Sequence, residues 1–195
     1  MRTAAKVQAI LLTGPKHSGK TSTGRVLAQY GGRDFIDLDE LIERQNGTSP
    51  RNLYTQSPER FRKAEAEALK SLIHPQHEPS SFKVIAAGGG IIDNADAMAL
   101  VEAADLLIIY LDVSVETAWK RICQETGPLP PFLNTDNPRE THAKLHQRRA
   151  AAYKSRAHMK IHAEAKGLEQ IVEEIITALD RFLGPYAYVQ TPLHT

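Results

Sequence analysis

The sequence is poor in the features that mark many protein classes. It has one cysteine, Cys123, so no internal disulfide framework can form. It has a single tryptophan, and aromatic residues make up only 6% of the 195 residues. Lys and Arg number 24 against 23 Asp and Glu, a formal net charge of +1, so no broad electrostatic attraction to nucleic acid or an anionic membrane is expected. No apolar run approaches the ~20 residues of a membrane span. Met1-Arg2-Thr3-Ala4-Ala5-Lys6 shows neither the apolar core nor the cleavage pattern of a signal peptide, and a cytoplasmic setting is expected. The chain is long enough for one domain with a substantial core.

Gly14-Pro15-Lys16-His17-Ser18-Gly19-Lys20-Thr21 follows the apolar run Val7 to Leu12 and leads into a helical pattern. This is G-x-x-x-x-G-K-[ST] in its strand-loop-helix setting. The glycines let successive backbone N–H groups curl around phosphate oxygens, and the helix that follows adds the positive end of its dipole. Gly14, Ser18, Gly19, Lys20, Thr21 and Ser22 are therefore candidate contacts to a nucleoside triphosphate, with Lys20 on the β- and γ-phosphates and Thr21 on Mg²⁺.

Strand-like runs recur at Val7–Leu12, Phe35–Leu38, Lys83–Ala87, Leu106–Leu111 and, weakly, Met159–Ala163, with helical patterns between. Apolar strands alternating with helices predict a parallel sheet covered on both faces. Ser57-Pro58-Glu59 reads as a cap followed by proline at the first helical position, opening a helix to about Ile73 with Phe61, Ala64, Ala68 and Leu72 inward. The last helix, Leu168 to Leu183, places Leu168, Ile171, Val172, Ile175, Ile176 and Leu179 on one face. Val115, Ala118, Trp119, Ile122 and Cys123 form another stripe, which predicts a packed cysteine. Gly127 to Pro138 holds four prolines and is either a lid or a passive connection, and the segment from Gly184 to Thr195 reads as a poorly ordered tail.

Asp37 and Asp39 stand at the carboxyl end of the second strand, where ligands bind in open α/β sheets. One can hold Mg²⁺ while the other accepts a proton from an attacking hydroxyl; the competing reading makes Asp39 the cap of a helix Glu40–Asn46. Arg62 and Glu65, at i, i+3, are either a solvated pair or an anion-clamping guanidinium oriented by a carboxylate. Gly88-Gly89-Gly90 closes the third strand and suits close backbone approach to a ligand. Leu145, Arg149 and Tyr153 share a helix face, so Arg149 points inward and needs an anion from the protein or a ligand. His142/His146 and His158/His162 have metal-ligand spacing, but no pattern completes a site, and solvated histidines are expected.

In order, these pieces resemble the shikimate kinase family from about Ile10 to Leu179. The resemblance rests on the phosphate loop, Phe35-Ile36-Asp37-Leu38-Asp39-Glu40-Leu41-Ile42-Glu43, Phe61-Arg62-Lys63-Ala64-Glu65, Val84-Ile85-Ala86-Ala87-Gly88-Gly89-Gly90, Tyr110-Leu111 and Arg149-Ala150-Ala151-Ala152-Tyr153. It implies an α/β fold of the P-loop nucleoside-monophosphate-kinase-like type, three-layered, with a five-stranded parallel sheet. It implies one kinase domain over 1–183, a substrate-binding helical region about 37–74, a lid about 126–138 and a tail at 184–195. The implied reaction is ATP-dependent phosphorylation of the shikimate 3-hydroxyl by a cytoplasmic monomer, with Mg²⁺ and with neither nucleic acid nor membrane as partner.

Carried over, Asp39 holds and deprotonates the acceptor hydroxyl, Asp37 supports Mg²⁺, and Arg62 and Arg149 clamp the carboxylate. Gly89 contacts the ring, Glu65 orients Arg62, and Arg121 lies against adenine. One position departs from the pattern: family lids carry an arginine immediately before Pro-Leu, where this chain has Gly127-Pro128-Leu129. Arg139 or Lys16 replaces it, or the substrate or activity has changed. Two alternatives stay open: a kinase for another small hydroxy acid such as gluconate, and a nucleotide-binding protein with little transfer activity.

Overall fold

A computed structural model describes residues 7–73, 82–184 and 188. Five strands form one sheet: β1 (Ala9–Thr13), β2 (Asp34–Asp37), β3 (Lys83–Ala86), β4 (Leu106–Asp112) and β5 (Met159–His162), in the order β2-β3-β1-β4-β5. Every pairing is parallel. The helices are α1 (Lys20–Gly31), α2 (Leu38–Asn46), α3 (Pro50–Gln56), α4 (Pro58–Leu72), α5 (Ala95–Ala103), α6 (Val115–Gln124), α7 (Pro138–Arg156) and α8 (Leu168–Leu183). No helix among the described residues is long and apolar enough to cross a membrane.

Alternation along β1 divides the core. Ala9 and Leu11 pack with Leu38, Ile42, Leu53, Leu69, Ile85 and Tyr153 on one face, whereas Ile10 and Leu12 pack with Leu27, Val84, Ile171, Val172, Ile175 and Leu179 on the other. The result is the expected three-layer α/β arrangement. β1 lies between β3 and β4, so the carboxyl ends of β1, β2 and β3 open into one crevice, the ligand-binding end of a parallel sheet.

Helix ends follow local chemistry. Ser57 accepts a hydrogen bond from the Arg60 amide, with Pro58 at the first helical position. Gly32 closes α1 in the left-handed conformation, φ 59°, returning its amide to the Ala28 and Gln29 carbonyls.

Several expectations are corrected. Cys123 is exposed, because Ala118 and Ile122 carry the buried line of α6 and the helix ends one residue past it. Leu168 is exposed too, at the first turn of α8, before that helix reaches the sheet. His142 is buried against Trp119 and His146, not solvated. Most of the segment read as a poorly ordered tail lies outside the described residues, but Tyr188 within it is buried, donates to the Leu27 carbonyl at 2.7 Å and packs edge-on against Phe82.

Candidate active site

The phosphate loop joins β1 to α1. Gly14 has φ +139°, and a Cβ there would meet the Leu111 carbonyl oxygen at 2.5 Å, so only glycine fits. His17 occupies the left-handed region at φ 62°, and its carbonyl accepts from Arg121 Nη1 at 2.7 Å. Gly19 precedes α1 with φ 95° and offers no side chain to cap it, and the first turn holds no acidic residue. The amides at the start of α1 therefore have no side-chain acceptor, which leaves them and the positive helix end to an anion. Lys20 lies across the loop, donating to the carbonyls of Gly14 at 3.0 Å and Pro15 at 2.8 Å. Burial brings its pKa down to about 8, opposed by the charges of Asp39 and Asp37.

Asp37 ends β2 and caps α2: its Oδ1 accepts from the amides of Asp39 and Glu40, while its Oδ2 accepts from Thr21 Oγ1 at 2.7 Å. The cap of α2 is thus Asp37, one residue before Leu38, and Asp39 is free of that task. Asp39 is solvent-accessible as a residue because the crevice is open, yet its carboxylate lies low, against Gly88. Crowding by protein atoms, then the charge of Asp37, raises its pKa against the pull of Lys20 and Lys16. A carboxylate raised in this way is a better proton acceptor.

A crevice of about 450 Å³ is lined by Lys16, His17, Gly19, Lys20, Thr21, Ser22, Asp37, Asp39, Ala87, Gly88, Gly89 and Arg121. Of the predicted nucleotide contacts, Gly14 and Ser18 are buried in the loop and the others face this crevice. The triple glycine serves three close approaches: a Cβ at Gly88 would lie 3.2 Å from both Asp39 Oδ1 and Glu65 Oε1, one at Gly89 would lie 2.8 Å from the Lys16 amide nitrogen, and one at Gly90 would lie 3.2 Å from Arg149 Nη2.

Arg149 donates to the Gly89 carbonyl at 3.0 Å and to Asp93 at 2.8 Å, and Arg148 holds the same carboxylate with a two-pronged contact at 2.7 and 2.9 Å. Burial pushes Asp93 up, but the hydrogen bond from Arg148 and the charge of Arg149 outweigh it and hold the carboxyl below its usual range. The protein therefore supplies an anion for the inward arginine. Tyr153 donates to the Gly89 carbonyl at 2.9 Å, fixing the same turn.

Glu65 does not orient Arg62. It is 1% exposed and accepts from Asn94 Nδ2 at 2.9 Å, while Arg62 is exposed and makes no ion pair among the described residues. Asn94 also donates to the Arg62 carbonyl at 2.7 Å, so it fixes the backbone that carries Arg62. Burial drives the Glu65 pKa up to about 7. Asp93 and Asn94 went unnoticed in the sequence. Asn94 carries a readable cap signal before α5, accepting from the Ala97 amide, but its partners on α4 are 29 and 32 residues away.

Of the two proposed replacements for the lid arginine, Lys16 lines this crevice and Arg139 does not. Lys16 Nζ pairs with Glu125 at 2.5 Å, and Arg139 lines a separate hollow of about 440 Å³ with Trp119, Cys123 and His142.

A phosphate loop, a buried lysine over it and a raised carboxylate in one crevice at the sheet's carboxyl edge define a P-loop phosphotransferase. The shikimate kinase family model matches residues 16–180, and this chain belongs to the shikimate kinase family. It is 31% identical over 182 residues to the shikimate kinase of Marinomonas sp. (strain MWYL1), covering 91% of this chain and 95% of that one. It is 33% identical over 173 residues to that of Thermodesulfovibrio yellowstonii, covering 88% and 95%. In structure it resembles shikimate kinase from Acinetobacter baumannii in complex with shikimate, with a TM-score of 0.79 and 27% identity over 90% of this chain and 94% of that one. A gluconokinase from Sinorhizobium meliloti shares the fold alone, at 21% identity and a TM-score of 0.59 over 93% of this chain and 95% of that one.

Proposed function

We propose that this protein transfers the γ-phosphoryl group of ATP to the 3-hydroxyl of shikimate. The observation that carries the reading is the shared crevice: Lys20 and Asp39 face it together, and Arg149 is fastened behind Gly89 on its wall. The start of α1 and Lys20 bind the phosphates. Arg121, held to the His17 carbonyl, offers a planar guanidinium to the adenine. Arg149 and Arg62 bind the carboxylate of the acceptor, and Gly89 receives its ring.

Asp39 orients the 3-hydroxyl and takes its proton as the oxygen bonds to the γ-phosphorus and the bond to the β–γ bridging oxygen breaks, releasing ADP. Lys20 offsets charge developing on the transferred group. Thr21 Oγ1 and the Asp37 carboxylate, already joined, form the all-oxygen donor pair that suits Mg²⁺, directly or through water. Bound there, Mg²⁺ would neutralise charge on the β- and γ-phosphates. A cytoplasmic monomer acting on a small molecule, without nucleic acid or membrane, belongs to the same reading.

Coupled measurement of ADP release tests it, with shikimate beside a panel of small hydroxy acids including gluconate. Turnover with a clear preference for shikimate is expected. Background rates at millimolar shikimate, or a higher kcat/KM for another acid, would overturn it.

A further inference from the structure

The lid that lacks its arginine is fastened from outside. Gly127-Pro128-Leu129-Pro130-Pro131 has three prolines, which carry no N–H, so the segment has few donors with which to fold on itself. Arg51 on α3 supplies them. Its Nη1 donates to the Pro128 carbonyl at 3.1 Å and its Nη2 to the Leu129 carbonyl at 2.8 Å, across 77 and 78 residues of sequence. Neither carbonyl takes part in the lid's own backbone hydrogen bonds among the described residues. A planar fork spanning two consecutive carbonyls fixes orientation as well as distance, which a lysine cannot do.

Beyond that attachment the lid turns inward. Pro131–Leu133 forms a single 3₁₀ turn with Leu133 fully buried, and the Leu133 amide donates to the Pro130 carbonyl at 2.9 Å. Phe132 is thereby laid against the Arg149 guanidinium, 5.6 Å from its ring centroid. The line of contact runs from Arg51 through the lid to Phe132, then to Arg149, the Gly89 carbonyl and Asp93.

We infer that Arg51 is a lid-positioning residue, whose fork on the Pro128 and Leu129 carbonyls seats Phe132 on Arg149 and so sets the acceptor side of the crevice. The effect on acceptor binding rests on the proposed reaction; the fastening of the lid does not. Gly127 is not where that function can be restored simply. Its Cβ would meet open space, but its φ of +122° strains any residue other than glycine.

The test is Arg51→Met, which keeps the aliphatic stem and removes the donors at an exposed position. Amide hydrogen exchange of Leu129, Phe132 and Leu133 in the substrate-free protein is expected to quicken at least severalfold. The KM for shikimate is expected to rise roughly three- to thirtyfold, with that for ATP within about twofold. Arg51→Lys should fall between. Phe132→Leu should show the same loss, and the double variant no more than either single one. Unchanged lid exchange in Arg51→Met, or equal rises in both KM values, would overturn the assignment. If the wild-type protein does not turn over shikimate, the exchange measurement still decides the fastening while the acceptor reading fails alone.

Discussion

Thr21 Oγ1 donates to Asp37 Oδ2 at 2.7 Å, joining the first turn of the helix after the phosphate loop to the end of β2, two strands away from β1 in the sheet. Asp37 gives its other oxygen to the α2 amides, so a single carboxylate serves both the cap of α2 and the proposed Mg²⁺ position. Asp37→Asn separates these duties, because asparagine caps a helix about as well as aspartate but lacks the charge. We expect a melting temperature within about 2 °C of wild type and kcat lowered roughly a hundredfold or more, with weaker dependence on Mg²⁺. Near-normal kcat with a large loss of stability would make Asp37 a cap and nothing else.

Arg149 can be removed without stranding its partner, since Arg148 keeps two hydrogen bonds on Asp93. Arg149→Ala should therefore raise the KM for shikimate by roughly one to two orders of magnitude and leave ATP affinity almost unaltered. Steady-state kinetics with each substrate varied in turn gives the answer. Loss of ATP binding would place Arg149 with the nucleotide instead.

Burial lifts Glu65 to about 7, against 4.5 for an unperturbed glutamate. Between those values the folded protein keeps a proton that the unfolded chain has released, so stability falls as pH rises through the window and levels off above it. Glu65→Gln keeps an acceptor for Asn94 and has no charge to bury. Denaturant titrations should show the variant gaining on wild type between about pH 5 and pH 8, with a ceiling near ~3 kcal/mol. A gap of the same size at both ends would mean that Glu65 does not titrate there.

Gly89→Ala adds a methyl group 2.8 Å from the backbone nitrogen of Lys16. The phosphate loop or the strand end has to shift, at a cost of about 1–3 kcal/mol. Calorimetry should find weaker ATP binding, by roughly tenfold, together with a lower melting temperature. Unchanged nucleotide affinity would show that the loop absorbs the methyl group without consequence.

Much of this was legible because it is local. The phosphate loop is one continuous segment, and β1 and β4 are apolar runs, the first ending just before Gly14 and the second beginning after Asp105. Ser57-Pro58 announces a helix start that α4 follows. What escaped reading depends on packing across the chain. Asp93 meets Arg149 over 56 residues, and Arg51 meets the lid over 77 and 78, with no spacing rule to link them. Cys123 and Leu168 were misread because a stripe continues on paper past the point where the helix leaves the core. His142 was misread for the opposite reason: α7 shows little apolar periodicity of its own, and Trp119 on α6 is what covers it.

Tyr188 has a consequence for anyone shortening this protein. Its ring sits on Gly31, where a Cβ would come within 2.8 Å, and its hydroxyl meets the Leu27 carbonyl. A version cut after Leu183 would lose that plug, wetting the back of α1 and one edge of Phe82. The helix that begins at the phosphate loop would then be loosened from its far end, so the Tyr188 contact braces the same helix whose first turn meets the crevice.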